Sequence, residues 1–492
     1  MSAVSLDLGS DFANLVGGEL RNSAAGWIED YNPARSAQRV ARVPASGEDD
    51  VADAIDAATA AFPAWRNATP AARGAVLAAA ATWLREHAKQ IAVVVSAEMG
   101  KTLAEAAGEV GRSADFFAYY GSLHRSSRGE LLADSRPGVE SEVRVEPLGV
   151  VLAITPWNDP LLTPARKLAP ALAVGNTVVI KPASETPVSA LILALAFHET
   201  GAPPGILNTV TGPGSRIVAP LLADQRIAAV TFTGSTEIGL ELQRSLAGRN
   251  VRLQTEMGGK NPSIVLADAD VDLAAETISA AAYGQAGQRC TATSRLIVEH
   301  SIADELLERL AERAGAIAVG PGDDATTTMG PLVSERQMTS VLQDIDIARQ
   351  EGAQVAFGGE RLLHPPLDTG WFVAPTILTA VTRSMAIWRE EVFGPVLAVT
   401  TVASLDEAIT AANDSRYGLA AALFSESLAA TRRFIEQVEV GQVAVNLPTS
   451  GWDVHQPFGG WKLSGSAFKE QGTEGLRFYT RVKTVAVKTS GR

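Results

Sequence analysis

The chain of 492 residues contains one cysteine, Cys290. No disulfide can form within it, and no cysteine-built zinc or iron–sulfur site is available. A lone thiol fits a reducing compartment, so the expected location is cytoplasmic. Basic residues are in deficit: 42 Lys and Arg stand against 55 Asp and Glu, a formal net charge of −13. With no basic run, nucleic acid and anionic membrane are poor partners. Long apolar runs are also missing. Leu191 to Phe197 is among the longest and has the length of a buried strand or helix, far short of a bilayer span. The N-terminal stretch MSAVSLDLGSDFANLVGGEL has no basic segment followed by an apolar core, so no secretory signal is expected. Histidines number six, and none pairs at metal-ligand spacing or stands in a recognisable catalytic context. A metal enzyme and a Cys–His hydrolase are both disfavoured.

What is present reads as an ordinary globular chain, 46% hydrophobic and 20% charged, long enough for several cores. From about Asp50 to His124 apolar residues recur at three- and four-residue steps in alanine-rich segments, which predicts a helical layer punctuated at Pro63 and Pro70. From about Glu142 the pattern changes. Short β-branched runs, Gly149 to Ile154, Thr177 to Ile180, Leu207 to Val210, Ile227 to Phe232 and Val251 to Leu253, alternate with helical segments. That rhythm predicts an α/β fold with a parallel sheet covered by helices. Ligands then sit beyond the C-terminal ends of the strands. The residues there are Pro156-Trp157-Asn158, Lys181-Pro182, Thr211 to Gly214, Thr233-Gly234-Ser235 and Glu256 to Gly259. A second α/β region runs from about Pro262 to Val445, and GLRFYTRVKTVAVK near the C-terminus alternates as a strand does.

The turn FTGSTEIG carries Gly234 and Gly239 without the G-x-G-x-x-G spacing of the usual dinucleotide fingerprint. It is either an ordinary strand-to-helix turn or an anion site, since Gly234 allows close approach and the helix start near Ser235 offers free N–H groups. Lys181 at a strand end is either a solvated lysine or a ligand for ribose or phosphate. Cys290, in Gly-Gln-Arg-Cys-Thr-Ala, is either a small buried hydrophobe or a nucleophile. Glu256 lies 34 residues upstream (290 − 256). Its Gly258-Gly259 neighbours suggest a turn at a site. The plainer alternative is a surface carboxylate.

In order, PWN at Pro156, KPAS at Lys181, FTGS at Phe232, EMGGKNP at Glu256, GQRC at Gly287, EEVFGPV at Glu390 and PFGG at Pro457 resemble the aldehyde dehydrogenase superfamily, over nearly the whole chain from Tyr31 to Thr484. The resemblance implies a Rossmann-like cofactor domain (1–127 and 145–255), an α/β catalytic domain (256–444) and a small β oligomerisation arm with bridging segments (128–144 and 445–492). A homodimer or homotetramer is expected. It implies that Cys290 attacks the aldehyde as a thiolate, that the Asn158 amide and the Cys290 N–H hold the oxyanion, and that Glu256 activates water against the resulting thioester. Thr155, Trp157, Gly212, Phe232 and Gly234 would line the cofactor groove. Lys181 would meet the adenosine ribose, Ser235 the pyrophosphate and Glu391 the nicotinamide ribose, with Phe393 packed beside the ring.

NAD-preferring relatives often carry Glu three residues after the lysine; Ser184 stands here and favours NADP or dual NAD/NADP use, although Glu185 keeps a negative charge nearby. Asp159 replaces the usual aromatic after Pro-Trp-Asn, which weakens a reading for large apolar aldehydes. Arg166 falls where succinate-semialdehyde dehydrogenases hold a substrate carboxylate. It otherwise pairs with Asp159 or lies on a helix surface. The stretch Asn446 to His455 and GQRCTATSR resemble α-ketoglutaric semialdehyde dehydrogenases. A carboxylate-bearing semialdehyde is therefore the expected substrate. The alternatives are another small polar aldehyde, a CoA-acylating enzyme, against which Glu256 argues, and an idle scaffold. Ser464 to Phe468 departs from the commoner Ser-Gly-x-Gly pattern.

Overall fold

The computed structural model describes residues 6–126 and 129–488. Its helical layer consists of α1 (Glu48–Asn67), α2 (Pro70–Glu86), α3 (Ala88–Met99) and α4 (Leu103–Ser122). Local signals set the boundaries. Thr69 caps α2 with Pro70 at its first position. Thr102 and Glu105 form a reciprocal capping box at the start of α4. Gly100, at φ +93°, closes α3 in the left-handed conformation. Pro63 does not punctuate the layer as expected but sits inside α1. Burial carries the helix across it: Val51, Ala54, Ile55 and Ala58 lie buried before the proline, and Trp65 after it. The Trp65 indole N–H also donates to the Leu172 carbonyl at 3.2 Å.

The first sheet has five parallel strands in the spatial order Arg252–Glu256, Ile227–Thr233, Val150–Ile154, Thr177–Lys181, Leu207–Thr209. All five predicted runs are strands of this sheet. Between them run α5 (Leu162–Val174), α6 (Val188–Glu199), α7 (Gly214–Ala223) and α8 (Thr236–Leu246). The run Leu191 to Phe197 belongs to α6, whose residues Val188 to Phe197 are all buried. The chain winds outward from Val150–Ile154 to Leu207–Thr209, then crosses back to Ile227–Thr233 on the other side. The order therefore reverses beside Val150–Ile154, and the crevice past the ends of that strand and of Ile227–Thr233 is where a ligand is expected.

The second sheet has seven strands, ordered Gln354–Phe357, Thr376–Thr379, Val396–Val402, Thr293–Glu299, Asn261–Val265, Ala420–Phe424, Gln442–Val445. Only the edge strand Gln354–Phe357 runs antiparallel. Glu256 is the last residue of the first sheet and Asn261 the first of this strand in the second, so residues 257–260 are the crossing between them. A third, antiparallel sheet of Gly129–Leu132, Val139–Pro147 and Thr480–Lys488 stands apart. Its central strand continues past Arg144 to Pro147, while Arg128, the expected start of the arm, lies outside the described residues. No helix among the described residues is long and apolar enough to cross a membrane.

Candidate active site

One cavity of about 720 Å³ opens where the two large sheets meet, and Cys290, Glu256 and Asn158 all line it. The cysteine loop owes its path to three successive residues at positive φ, Gln285 (52°), Ala286 (54°) and Gly287 (69°). Gly287 cannot carry a side chain, because a Cβ there would overlap the Gly394 carbonyl. The loop carbonyls are then tied off individually. Asn158 Nδ2 donates to Gln288 O at 3.0 Å, Asn261 Nδ2 to Cys290 O at 2.8 Å, and Thr449 Oγ1 to Thr291 O at 2.6 Å. The Cys290 N–H, in contrast, has no acceptor among the described residues. One hydrogen of the Asn158 amide is used on Gln288, which leaves the other. Two donors therefore converge near Cys290, the arrangement an oxyanion requires.

Asn158 is itself held from behind. The Lys101 ammonium donates to the Asn158 carbonyl at 2.9 Å and pairs with Glu109 at 2.5 Å, with both charged side chains buried. Lys101 also reaches Asp159 at 3.1 Å, and Gln285 Nε2 donates to the same Asp159 oxygen at 3.1 Å. The alternative pairing of Arg166 with Asp159 is not made, nor does Arg166 lie on an outer helix surface. Its guanidinium sits 4.7 Å from the Phe458 ring and 5.8 Å from Phe116, 3.7 Å from the Glu470 carboxylate, and on the cavity wall.

Burial pushes the Cys290 thiol up to about 12, with Arg166 opposing the shift. No side chain hydrogen-bonds to its sulfur among the described residues. Burial thus disfavours the thiolate in the closed pocket, so attack as a thiolate calls for a base to take the proton. Glu256 is held well above the ordinary carboxylate range by its own burial, and the nearby Glu470 adds to the effect. Its Oε2 has no hydrogen-bond partner among the described residues. A buried carboxyl with a raised pKa and a free oxygen suits a general base once ionised. The Glu256 backbone is pinned by the segment that departs from the common pattern. Met257 N donates to Ser464 O at 2.8 Å, and Ser466 N to Thr255 O at 3.0 Å.

Along the rest of the cavity lie Thr155, Trp157, Lys181, Ser184, Phe232, Gly234, Ser235, Glu391 and Phe393. These residues fit a dinucleotide. A Cβ at Gly234 would sit 2.6 Å from the Phe232 ring, so the turn stays bare for close approach. Thr155 Oγ1 and Thr233 Oγ1 are buried without partners, and the Lys181 ammonium has no hydrogen bond among the described residues. Ser235 caps α8 by accepting the Ile238 N–H at 3.4 Å, which leaves the Thr236 and Glu237 N–H groups for an anion. Trp157 and Phe393 meet edge to face at 5.2 Å. Glu391 Oε1 accepts the Gly259 N–H at 2.9 Å, and burial raises this carboxyl to about 7. Gly212 is the exception. It does not line the cavity but stands behind it, its carbonyl accepting the Ser184 hydroxyl at 3.2 Å. Glu185 is ion-paired to Arg336 at 2.9 Å.

Lys101, Arg112, Lys167 and Glu470 were not singled out from the sequence. Lys167 pairs with Glu470 at 2.5 Å beneath Glu256. A lysine beside an arginine in a helix gives no local sign that it points inward. Among the described residues no group of three His, Cys, Asp or Glu is placed to hold a metal ion.

Two α/β sheets meeting at a thiol, a buried carboxyl and a dinucleotide-shaped groove define an oxidoreductase that works through a cysteine. The family model described as "Aldehyde dehydrogenase family" matches residues 20–485, and the chain belongs to that family, NAD(P)-dependent oxidoreductases of the aldehyde group. It is 44% identical to the α-ketoglutarate semialdehyde dehydrogenase of Haloferax volcanii, covering 96% of this chain and 98% of that one. Identity to the α-ketoglutaric semialdehyde dehydrogenase of Bacillus subtilis is 40%, over 97% and 98% of the two chains. Among solved structures, betaine aldehyde dehydrogenase of Staphylococcus aureus in complex with NAD+ superposes with a TM-score of 0.96 at 35% identity, covering 100% of this chain and 97% of that one.

Proposed function

We propose that the chain oxidises a small aldehyde bearing a distal carboxylate to the corresponding acid, with water rather than a thiol as the final acceptor. The observation that carries this is the meeting of Cys290, Glu256 and Asn158 on one cavity whose wall also carries Arg166 and Arg112. The Cys290 sulfur adds to the carbonyl carbon as its proton passes to the Glu256 carboxylate, which releases it to solvent before the second step, and the oxyanion falls to the Asn158 amide and the Cys290 N–H. NAD(P)+, when bound, supplies the two-electron acceptor. Loss of the aldehyde C–H then leaves a thioester on Cys290. Glu256 takes a proton from water, the water oxygen bonds the acyl carbon, and the S–C bond breaks to free the acid. Glu256 in this place supports hydrolysis over CoA acylation.

Lys181, Ser235 and Glu391 would hold the cofactor at its adenosine ribose, pyrophosphate and nicotinamide ribose. Use of both NADP and NAD is supported by Ser184, which adds no negative charge, and by the Arg336 guanidinium, which offsets Glu185. The relatives' names, α-ketoglutarate semialdehyde dehydrogenase among them, support the substrate class. The domain roles follow the sheets: cofactor on the first, catalysis on the second, oligomerisation on the antiparallel arm. A homodimer or homotetramer is supported by exposed apolar side chains on that arm. A cytoplasmic location suits a catalytic thiol that oxidation would destroy.

The test is steady-state reduction of NAD+ and of NADP+ by a semialdehyde without CoA, followed at the reduced-nicotinamide absorbance. Turnover is expected with the wild type and none with Cys290→Ala. Turnover that requires an added thiol would sink the hydrolytic reading.

A further inference from the structure

We propose that Arg112, on α4, grips the distal carboxylate of the substrate and is a specificity-determining residue. The inference rests on the substrate class proposed above. Three guanidiniums line the substrate end of the cavity: Arg112, Arg166 and Arg289. Two of them are engaged. Arg166 is stacked against Phe458 and lies 3.7 Å from Glu470. Arg289 donates to Gln285 and lies 3.6 Å from Glu105. Arg112 has neither a hydrogen bond nor an ion pair among the described residues. Arg112 acts on Asp159, whose carboxylate is already tied to Lys101 and Gln285.

Helix geometry explains the placement. Glu109, Arg112 and Phe116 follow at steps of three and four and so share one stripe of α4. Glu109 is anchored to the start of α5, accepting Leu161 N and Leu162 N at 2.9 Å each. Phe116 is buried beneath the Arg166 guanidinium. The stripe is thus clamped at both ends against the wall that carries Arg166, and Arg112 projects between them. A planar fork of open N–H donors matches a carboxylate better than any other group on this wall. The wider field gives the residue a second task. With a net charge of −13 the molecule as a whole repels anions, and the cluster of Arg112, Arg166 and Arg289 on the cavity wall is the local positive charge that would draw one in.

The test compares 4-oxobutanoate with butanal, aldehydes of equal carbon count that differ in the terminal acid. The ratio of their kcat/KM values is measured for wild type, Arg112→Ala and Arg112→Lys at low and high salt. Arg112→Ala is expected to lower that ratio by about 10- to 100-fold, through KM for the acid, as loss of a charged hydrogen-bond partner does. It should also flatten the salt dependence of that KM, and Arg112→Lys should restore part of both. A ratio left as in the wild type, or a kcat that falls alike for the two aldehydes, overturns the assignment. If the wild type itself shows no preference for 4-oxobutanoate, the proposed substrate class falls and takes the inference with it. A wild-type preference that survives Arg112→Ala removes only Arg112.

Discussion

At the scale of single residues, the site sets two raised acids against each other. Burial raises the pKa of both Cys290 and Glu256, so each is harder to ionise than the free side chain. For a carboxyl whose folded pKa lies above its free value, the ionised form is lost as pH falls through that raised value. In the proposed reaction Glu256 acts as the carboxylate. Turnover is therefore expected to fall on the acid side with a midpoint above the ordinary carboxylate range. Glu256→Gln should remove that limb and slow turnover by roughly 100- to 10,000-fold. The profile of kcat against pH for the two proteins checks this, and an unaltered limb in the variant would assign it elsewhere. Cys290 and Glu256 were legible because each stands in a short, ordered motif. Lys101, Lys167 and Glu470 were not, because their burial depends on partners 8, 303 and 303 residues away in the chain.

Among the elements, α4 does most to shape the catalytic loop. Its Glu109 spans three structures: the Lys101 ammonium, the start of α5, and through Lys101 the Asn158 carbonyl. Removing one member of a buried ion pair strands the other. Lys101→Met should cost about 3–5 kcal/mol of stability, read as a lowered urea midpoint. A midpoint equal to the wild type's would show that the pair is dispensable. The parallel strands of the first sheet were readable as β-branched runs because both their faces are covered. Pro63 misled because propensity is local, whereas the buried Trp65 that extends α1 beyond it acts through tertiary packing. Gly212 misled in a similar way: it follows a strand and ought to face the ligand, but Ser184 stands in front of it.

For the whole molecule, the antiparallel arm is the part least able to stand alone. Leu131 is 89% exposed and Val482 68% exposed on a three-stranded sheet outside the main cores. Apolar side chains so placed invite a second copy. A Leu131→Glu/Val482→Glu double variant is expected to shift sedimentation velocity from a dimer or tetramer toward a smaller species. A wild type that sediments as a monomer would remove the arm's proposed role. The two sheets are joined through residues 257–260, where the chain threads a narrow pass. A side chain at Gly258 would strike the Glu391 carboxylate, and a Cβ at Gly259 would sit 2.6 Å from the Cys290 carbonyl oxygen. These two positions bring the crossing chain close to Glu391, the proposed ligand of the nicotinamide ribose, and to the Cys290 loop. An engineer would find two separate handles on adjacent residues, a methyl at Gly258 pressing on the Glu391 carboxylate and one at Gly259 on the Cys290 loop.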